Sequence, residues 1–114
     1  MKITNITRNT LLADKAVLAS SLFSRMKGLL GRSLLGQNEA LILRPCNSIH
    51  TFFMRFSIDI IFLDRTDKVV ALKENMPAFR ITSVYPGACQ AIELPAHAIF
   101  RSKTHINDQI QMEK

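Results

Sequence analysis

The chain has no tryptophan, four glycines, four prolines and two cysteines among its 114 residues. So few cysteines cannot staple a disulfide scaffold, so the fold has to rest on a hydrophobic core. So little proline and glycine is the opposite of a low-complexity or collagen-like chain. No run of five basic residues occurs, which excludes a polybasic tail. The uncharged stretch Pro45–Met54 contains Asn, Ser, His and Thr, and nothing approaches the roughly 18 apolar residues of a membrane helix. The start, Met1-Lys2-Ile3-Thr4-Asn5, lacks the apolar centre and small-residue cleavage site of a secretory leader. These absences together predict a cytoplasmic protein whose two cysteines are thiols.

What is present suits a single globular domain spanning residues 1–114. Hydrophobic residues make up 47% and charged residues 21%, ordinary values for a folded chain. Residues 1–57 carry eight Lys/Arg and two acids, and so hold the whole net charge of +6. The second half carries seven of each sign. Such asymmetry suits an anionic partner, although a charge that only keeps the chain dispersed explains it more simply.

Periodicity predicts a mainly β fold. Short β-prone runs occur at Ile3–Ile6 and Thr10–Ala19, with Asp14-Lys15 read as a tight hairpin turn. Leu22, Met26, Leu29 and Leu30 repeat at helical spacing behind the candidate caps Ser20 and Ser21, and Gly31 suits a helix stop. Strands are predicted at residues 40–44, Ile49–Met54, Ile58–Leu63, Lys68–Lys73 and Ala88–Leu94. Residues 96–104 suggest one helical turn, and Asn107-Asp108 a turn before a last strand near Gln109–Met112. Strands this short, with one helix, predict an antiparallel sandwich or barrel.

Three motifs resemble a known family. The run Pro45–Asp64, Pro-Cys-Asn-Ser-Ile-His-Thr-Phe-Phe-Met-Arg-Phe-Ser-Ile-Asp-Ile-Ile-Phe-Leu-Asp, resembles the signature of the bacterial and archaeal domain of unknown function 192. Arg25–Arg32 resembles its Arg-x-x-Gly-Leu-Met helix. Ala91–Ala96, followed by Ile106-Asn107-Asp108, resembles its Leu-Glu-Leu-x-Ala-Gly…Gly-Asp ending. The chain departs from that pattern at His97 and Asn107, where Gly is usual, and at Ser57, where Pro is usual. The resemblance implies a mainly β, jelly-roll-like sandwich or barrel with one short helix. It implies no established reaction, cofactor or substrate, so no catalytic residue carries over.

Candidate chemistry therefore comes from ionisable residues embedded in apolar runs. Asp59 lies between Ile58 and Ile60, and Glu93 between Ile92 and Leu94. Alternation puts Asp59 with Ile61 and Leu63, and Glu93 with Cys89 and Ala91. Such carboxylates either line a pocket suited to acid–base work or tie structure through ion pairs and backbone N–H groups. His50 invites a role as base, pH switch or ligand, against the simpler expectation of a buried, satisfied imidazole. Cys46 lies four residues from His50, roughly 13 Å away on a strand, which argues against a shared metal and against a Cys46–His50–Asp59 triad. Arg25 and Arg32 share one helix face. No phosphate loop or dinucleotide fingerprint occurs, and no cofactor or metal is predicted.

The ligand-binding residues expected are His50, Thr51, Asp59 and Glu93, with Arg25 as helper. They describe a non-enzymatic binding module for a small anionic ligand or a protein partner. A small hydrolase or transferase using His50 with Asp59 or Glu93 is the first alternative. A weak nucleic-acid binder using the basic first half is the second, which the lack of interleaved aromatics on the basic helix argues against.

Overall fold

The computed structural model describes residues 1–19, 35–51 and 54–114. The helix expected over residues 22–30, with Arg25 and Arg32, lies outside them, as do Phe52 and Phe53.

Among the described residues, eight strands form two sheets. They are β1 (Lys2–Asn5), β2 (Thr10–Ala13), β3 (Lys15–Ala19), β4 (Glu39–Leu43), β5 (Ile58–Leu63), β6 (Val69–Met76), β7 (Gln90–Pro95) and β8 (Ile110–Glu113). A short helix, α1 (Ala98–Ser102), precedes β8. The small sheet has the order β2-β1-β8 and the large one β3-β4-β7-β5-β6. Neither sheet closes into a barrel, and the architecture is a mainly β sandwich with one short helix among the described residues.

The core lies on both faces of the large sheet. On one face, Ile42, Ile61, Leu63, Ile92 and Leu94 pack against Ile3, Leu12 and Ile110 of the small sheet and against Ala98 and Ile99 of α1. On the other, Leu41, Leu43, Ile58, Ile60, Phe62 and Ala91 lie beneath Cys46, Ile49 and Met54, with Tyr85 alongside. The Phe62 and Tyr85 rings meet at 4.7 Å and a 49° tilt. Burial on both faces explains why β5 and β7 are near-continuous apolar runs and why every residue of β5 is buried.

Two local expectations are corrected. Thr10–Ala19 is not a hairpin. β2 pairs antiparallel with β1, whereas β3 pairs in parallel with β4, from Lys15 opposite Glu39 to Ala19 opposite Leu43. Asp14 is the corner where the chain leaves one sheet for the other, and the hairpin is β1–β2 instead. The sheet is therefore not wholly antiparallel: β3 and β4 pair in parallel, and their separation in sequence leaves room for the crossover such a pair requires. Residues 49–51 and 54 belong to no strand of either sheet. They run in an outer layer whose ladder is an isolated bridge, His50 opposite Ile81.

Candidate functional site

Asp59 is fully buried on β5, on the face toward the small sheet. Its Oδ1 accepts the Asn75 N–H at 2.8 Å and its Oδ2 accepts the Ile99 N–H at 2.8 Å. Ile99 lies in the first turn of α1, where backbone donors have no partner within the helix. The N-cap residue, His97, makes no side-chain capping bond. Asp59 supplies that acceptor from a different strand, and so ties β6 and α1 to β5.

Glu93 is also buried, on β7, the central strand of the large sheet. Its cross-strand neighbours are Leu41 and Ile60, both in the core beneath the outer layer. The partner of Asp59 in that register is Leu94, which packs toward the small sheet. The two acids thus occupy opposite faces, and the sheet separates them. The alternation read from the sequence puts each acid on its observed face, but the faces do not share a pocket.

Thr51 is fully buried. Its hydroxyl donates to the Pro77 carbonyl at 2.7 Å and accepts the Arg80 N–H at 3.0 Å. Thr82 repeats the device, its Oγ1 accepting the Ile49 N–H at 3.0 Å and donating to the Ser83 carbonyl at 2.9 Å. Backbone bonds from Thr51 N–H to Arg80 O, Thr82 N–H to Ile49 O and Tyr85 N–H to Asn47 O complete the ladder, at 2.8, 2.8 and 2.9 Å. These bonds flank His50 and Ile81 rather than join them. The pair is of the non-hydrogen-bonded kind, in which side chains stand closest on one face.

His50 is exposed, not the buried imidazole expected. The reason is parity: Ile49 and Thr51 point inward, so His50 points outward with Ile81. Ile81 is 66% exposed and Phe79, two residues away, is 68% exposed. Phe79 has a φ of 60°, a left-handed conformation that a bulky residue rarely adopts. Its N–H is held by the Thr51 carbonyl at 2.9 Å.

Of the five expected site residues, then, His50 and Thr51 share the outer ladder, with opposite orientations. Asp59 and Glu93 lie on the two faces of the sheet, and Arg25 lies outside the described residues. The Cys46 thiol donates to the Ser48 carbonyl at 3.2 Å, and no Cys46–His50–Asp59 triad assembles because Asp59 faces the small sheet. Among the described residues, no cluster of three or more His, Cys, Asp or Glu side chains could hold a metal ion, and no helix is long and apolar enough to cross a membrane. Nor does any buried side-chain nitrogen or oxygen among them lack a hydrogen-bond partner.

A further polar cluster escaped the sequence reading. The Asp108 carboxylate accepts from Arg8 Nε at 3.0 Å, Asn5 Nδ2 at 2.9 Å and the His105 N–H at 2.8 Å. Asn5 Nδ2 also donates to Thr104 Oγ1 at 3.0 Å. Burial pushes the Asp108 pKa upward, but the bonds from Arg8, Asn5 and His105 outweigh it and hold the carboxyl below its ordinary value. Asn5, inside the short β-prone run Ile3–Ile6, does not name a partner over 100 residues away.

His97 and Asn107, the departures from the family's glycines, both adopt left-handed backbone, at φ 76° and 77°. The turn geometry is therefore kept without glycine at either position. Asn bears this readily, and His less so.

Comparison with known proteins agrees with this frame. Residues 3–112 match the family model described as Uncharacterized ACR, the domain of unknown function 192. A UPF0127 protein of Thermococcus sibiricus is 34% identical over 113 residues, covering 96% of this chain and 73% of the relative. A protein of unknown function from Novosphingobium aromaticivorans superposes with a TM-score of 0.82 at 19% identity, over 97% of this chain and 82% of that one. A protein put forward as a transcription regulator from Sinorhizobium meliloti does so at 0.80 and 15% identity, over 96% and 89%. At such identities the two structures speak for the shared fold alone. The family match over almost the whole length, with motifs that fold into the central strands and the αL turns, shows that the chain belongs to the domain of unknown function 192 family.

Proposed function

We propose that this chain is a non-enzymatic binding module that docks a protein partner on the outer face of the ladder formed by residues 47–51 and 79–85. One observation carries the reading. Phe79, Ile81 and Val84 are 68%, 66% and 61% exposed on a segment whose backbone is pinned by Thr51 and Thr82. Fixed backbone beneath exposed apolar side chains is pre-organised for contact, because little conformational freedom is left to lose on binding. The left-handed φ at Phe79 is a local cost of the kind that clusters where function constrains the chain. His50, beside Ile81, adds a polar group to that surface, and exposed Arg80 favours an acidic rim on the partner.

A small anionic ligand held by His50, Thr51, Asp59, Glu93 and Arg25 has less support. The Thr51 hydroxyl and both Asp59 oxygens are engaged by backbone groups, and the two acids are on opposite sheet faces. A hydrolase using His50 with Asp59 meets the same difficulty, since a general base needs its acid partner within hydrogen-bond reach.

A photo-reactive phenylalanine derivative at position 81, irradiated in an extract of the source cells, tests the proposal. The expected result is a discrete protein adduct that is absent from position 17, which is exposed on β3, and lost on Phe79→Asp. No adduct at position 81, or the same adducts at both positions, would overturn it.

A further inference from the structure

A second surface, at the opposite end of the chain's chemistry, combines cations with protruding apolar side chains. Phe100 on α1 is 77% exposed, the most exposed large hydrophobic residue among those described. Ile106 is 54% and Ile6 50% exposed. Arg101 and Lys103 are exposed between Phe100 and Ile106, and residues 97–107 contain no acid.

The fold gathers these residues at one place. The Asn5 amide bonds Thr104, Arg8 bonds Asp108, and the Ile6 N–H donates to the Gln109 carbonyl at 3.0 Å. The loop carrying Ile6 is therefore tied to the loop carrying Lys103 and Ile106. The nearest acid in sequence, Asp108, is buried and paired with Arg8. The neighbouring turn, 64–68, holds Asp64 and Asp67 against Arg65 and Lys68 and adds no net charge.

We infer that this end of the molecule is a peripheral docking surface for an anionic phospholipid membrane. The charge is complementary to such a surface, and anionic lipid attracts each nearby Lys or Arg. Two of the three apolar residues are aliphatic, and they gain nothing by stacking on bases. In the acyl boundary they bury apolar area, which adds to the electrostatic attraction of the anionic surface. Nucleic acid would use the same cations, but one phenylalanine gives it a poor stacking platform. The inference stands apart from the partner surface at Phe79 and Ile81.

The absence of tryptophan makes the test direct. Phe100→Trp places a single tryptophan, excited at 295 nm apart from Tyr85, at an exposed position, so folding is unaffected. The variant is titrated with vesicles of 30% phosphatidylglycerol in phosphatidylcholine, some carrying brominated acyl chains. The expected result is a blue shift and bromine quenching with the anionic vesicles and neither with pure phosphatidylcholine. Arg101→Gln with Lys103→Gln in the same chain lowers partitioning by about 25-fold, at about fivefold per cation. Phe79→Trp, the control for the other surface, stays unquenched. No quenching at position 100, quenching at 79 instead, or a fluorescence change with duplex DNA but not with vesicles would each overturn the inference.

Discussion

At the scale of single residues, the departures from the family pattern are the informative positions. His97 holds a φ of 76° at the entrance to α1, where glycine is usual. A left-handed conformation costs a side-chain-bearing residue roughly 1–2 kcal/mol, which glycine avoids at some entropic cost in the unfolded chain. His97→Gly is therefore expected to stabilise the protein by about 1 kcal/mol. Chemical denaturation reads this as a higher midpoint with an unchanged slope. A lower midpoint would mean that the imidazole makes a contact worth more than the backbone strain. His50 gives the complementary lesson. Its neighbours Ile49 and Thr51 are buried, but apolar residues fall on both parities of Ile49–Met54. The sequence could not say which side of the segment meets the core, because the segment pairs with residues 79–82 and not with a regular strand.

At the scale of elements, Asp59 is a fastener. Asp59 accepts one N–H from the end of β6 and one from the start of α1. Asp59→Asn keeps the volume but turns an amide NH2 toward one of those donors. A loss of about 3 kcal/mol is expected, from the range for bonds to charged groups and the donor left unsatisfied. Amide hydrogen exchange should quicken first at Ile99 and Asn75. A variant as stable as the parent would instead favour a ligand-facing carboxylate.

The elements themselves were unevenly legible. Ile58–Leu63 matches β5 end to end because an apolar run bounded by a turn is a strong signal. Residues 40–44 and 88–94 lie within a residue or two of β4 and β7. The single turn suggested at 96–104 is α1. The strand expected at Ile49–Met54 is no strand of either sheet in its described residues, and the hairpin at Asp14-Lys15 failed outright. A polar pair between two apolar runs signals a turn, but not whether the chain folds back in one sheet or crosses to the other. Parallel pairing of β3 with β4 is equally silent, since partners across residues 20–38 leave no local mark.

At the scale of the whole molecule, a five-stranded sheet separates two different environments. One face joins the small sheet and α1, closed off by Asp59. The other is covered by the outer layer, whose far side carries His50, Phe79 and Ile81. The pole holding Asn5, Arg8 and Asp108 contributes to the acid response, beside Asp64, whose carboxylate is also held below its ordinary value by bonds from Lys68 and Thr66. The folded-state pKa of Asp108 is depressed, so its contribution is fully present above the ordinary value of 3.8 and is lost as pH falls through the lower folded value. Arg8→Gln is expected to cost about 1 kcal/mol at pH 7, a figure kept small because the guanidinium is partly exposed. The gap to the parent should narrow when unfolding is repeated near pH 2. A gap that stays constant with pH would assign the loss to packing of the arginine stem.

If, as proposed, the outer ladder's apolar residues serve contact with a partner, they contribute nothing to the fold. Urea unfolding of Phe79→Ser with Ile81→Ser tests it most directly. Side chains already in water should leave stability within about 0.5 kcal/mol of the parent, with the same slope. A loss above about 3 kcal/mol would show that these residues belong to the core, and the account would be wrong.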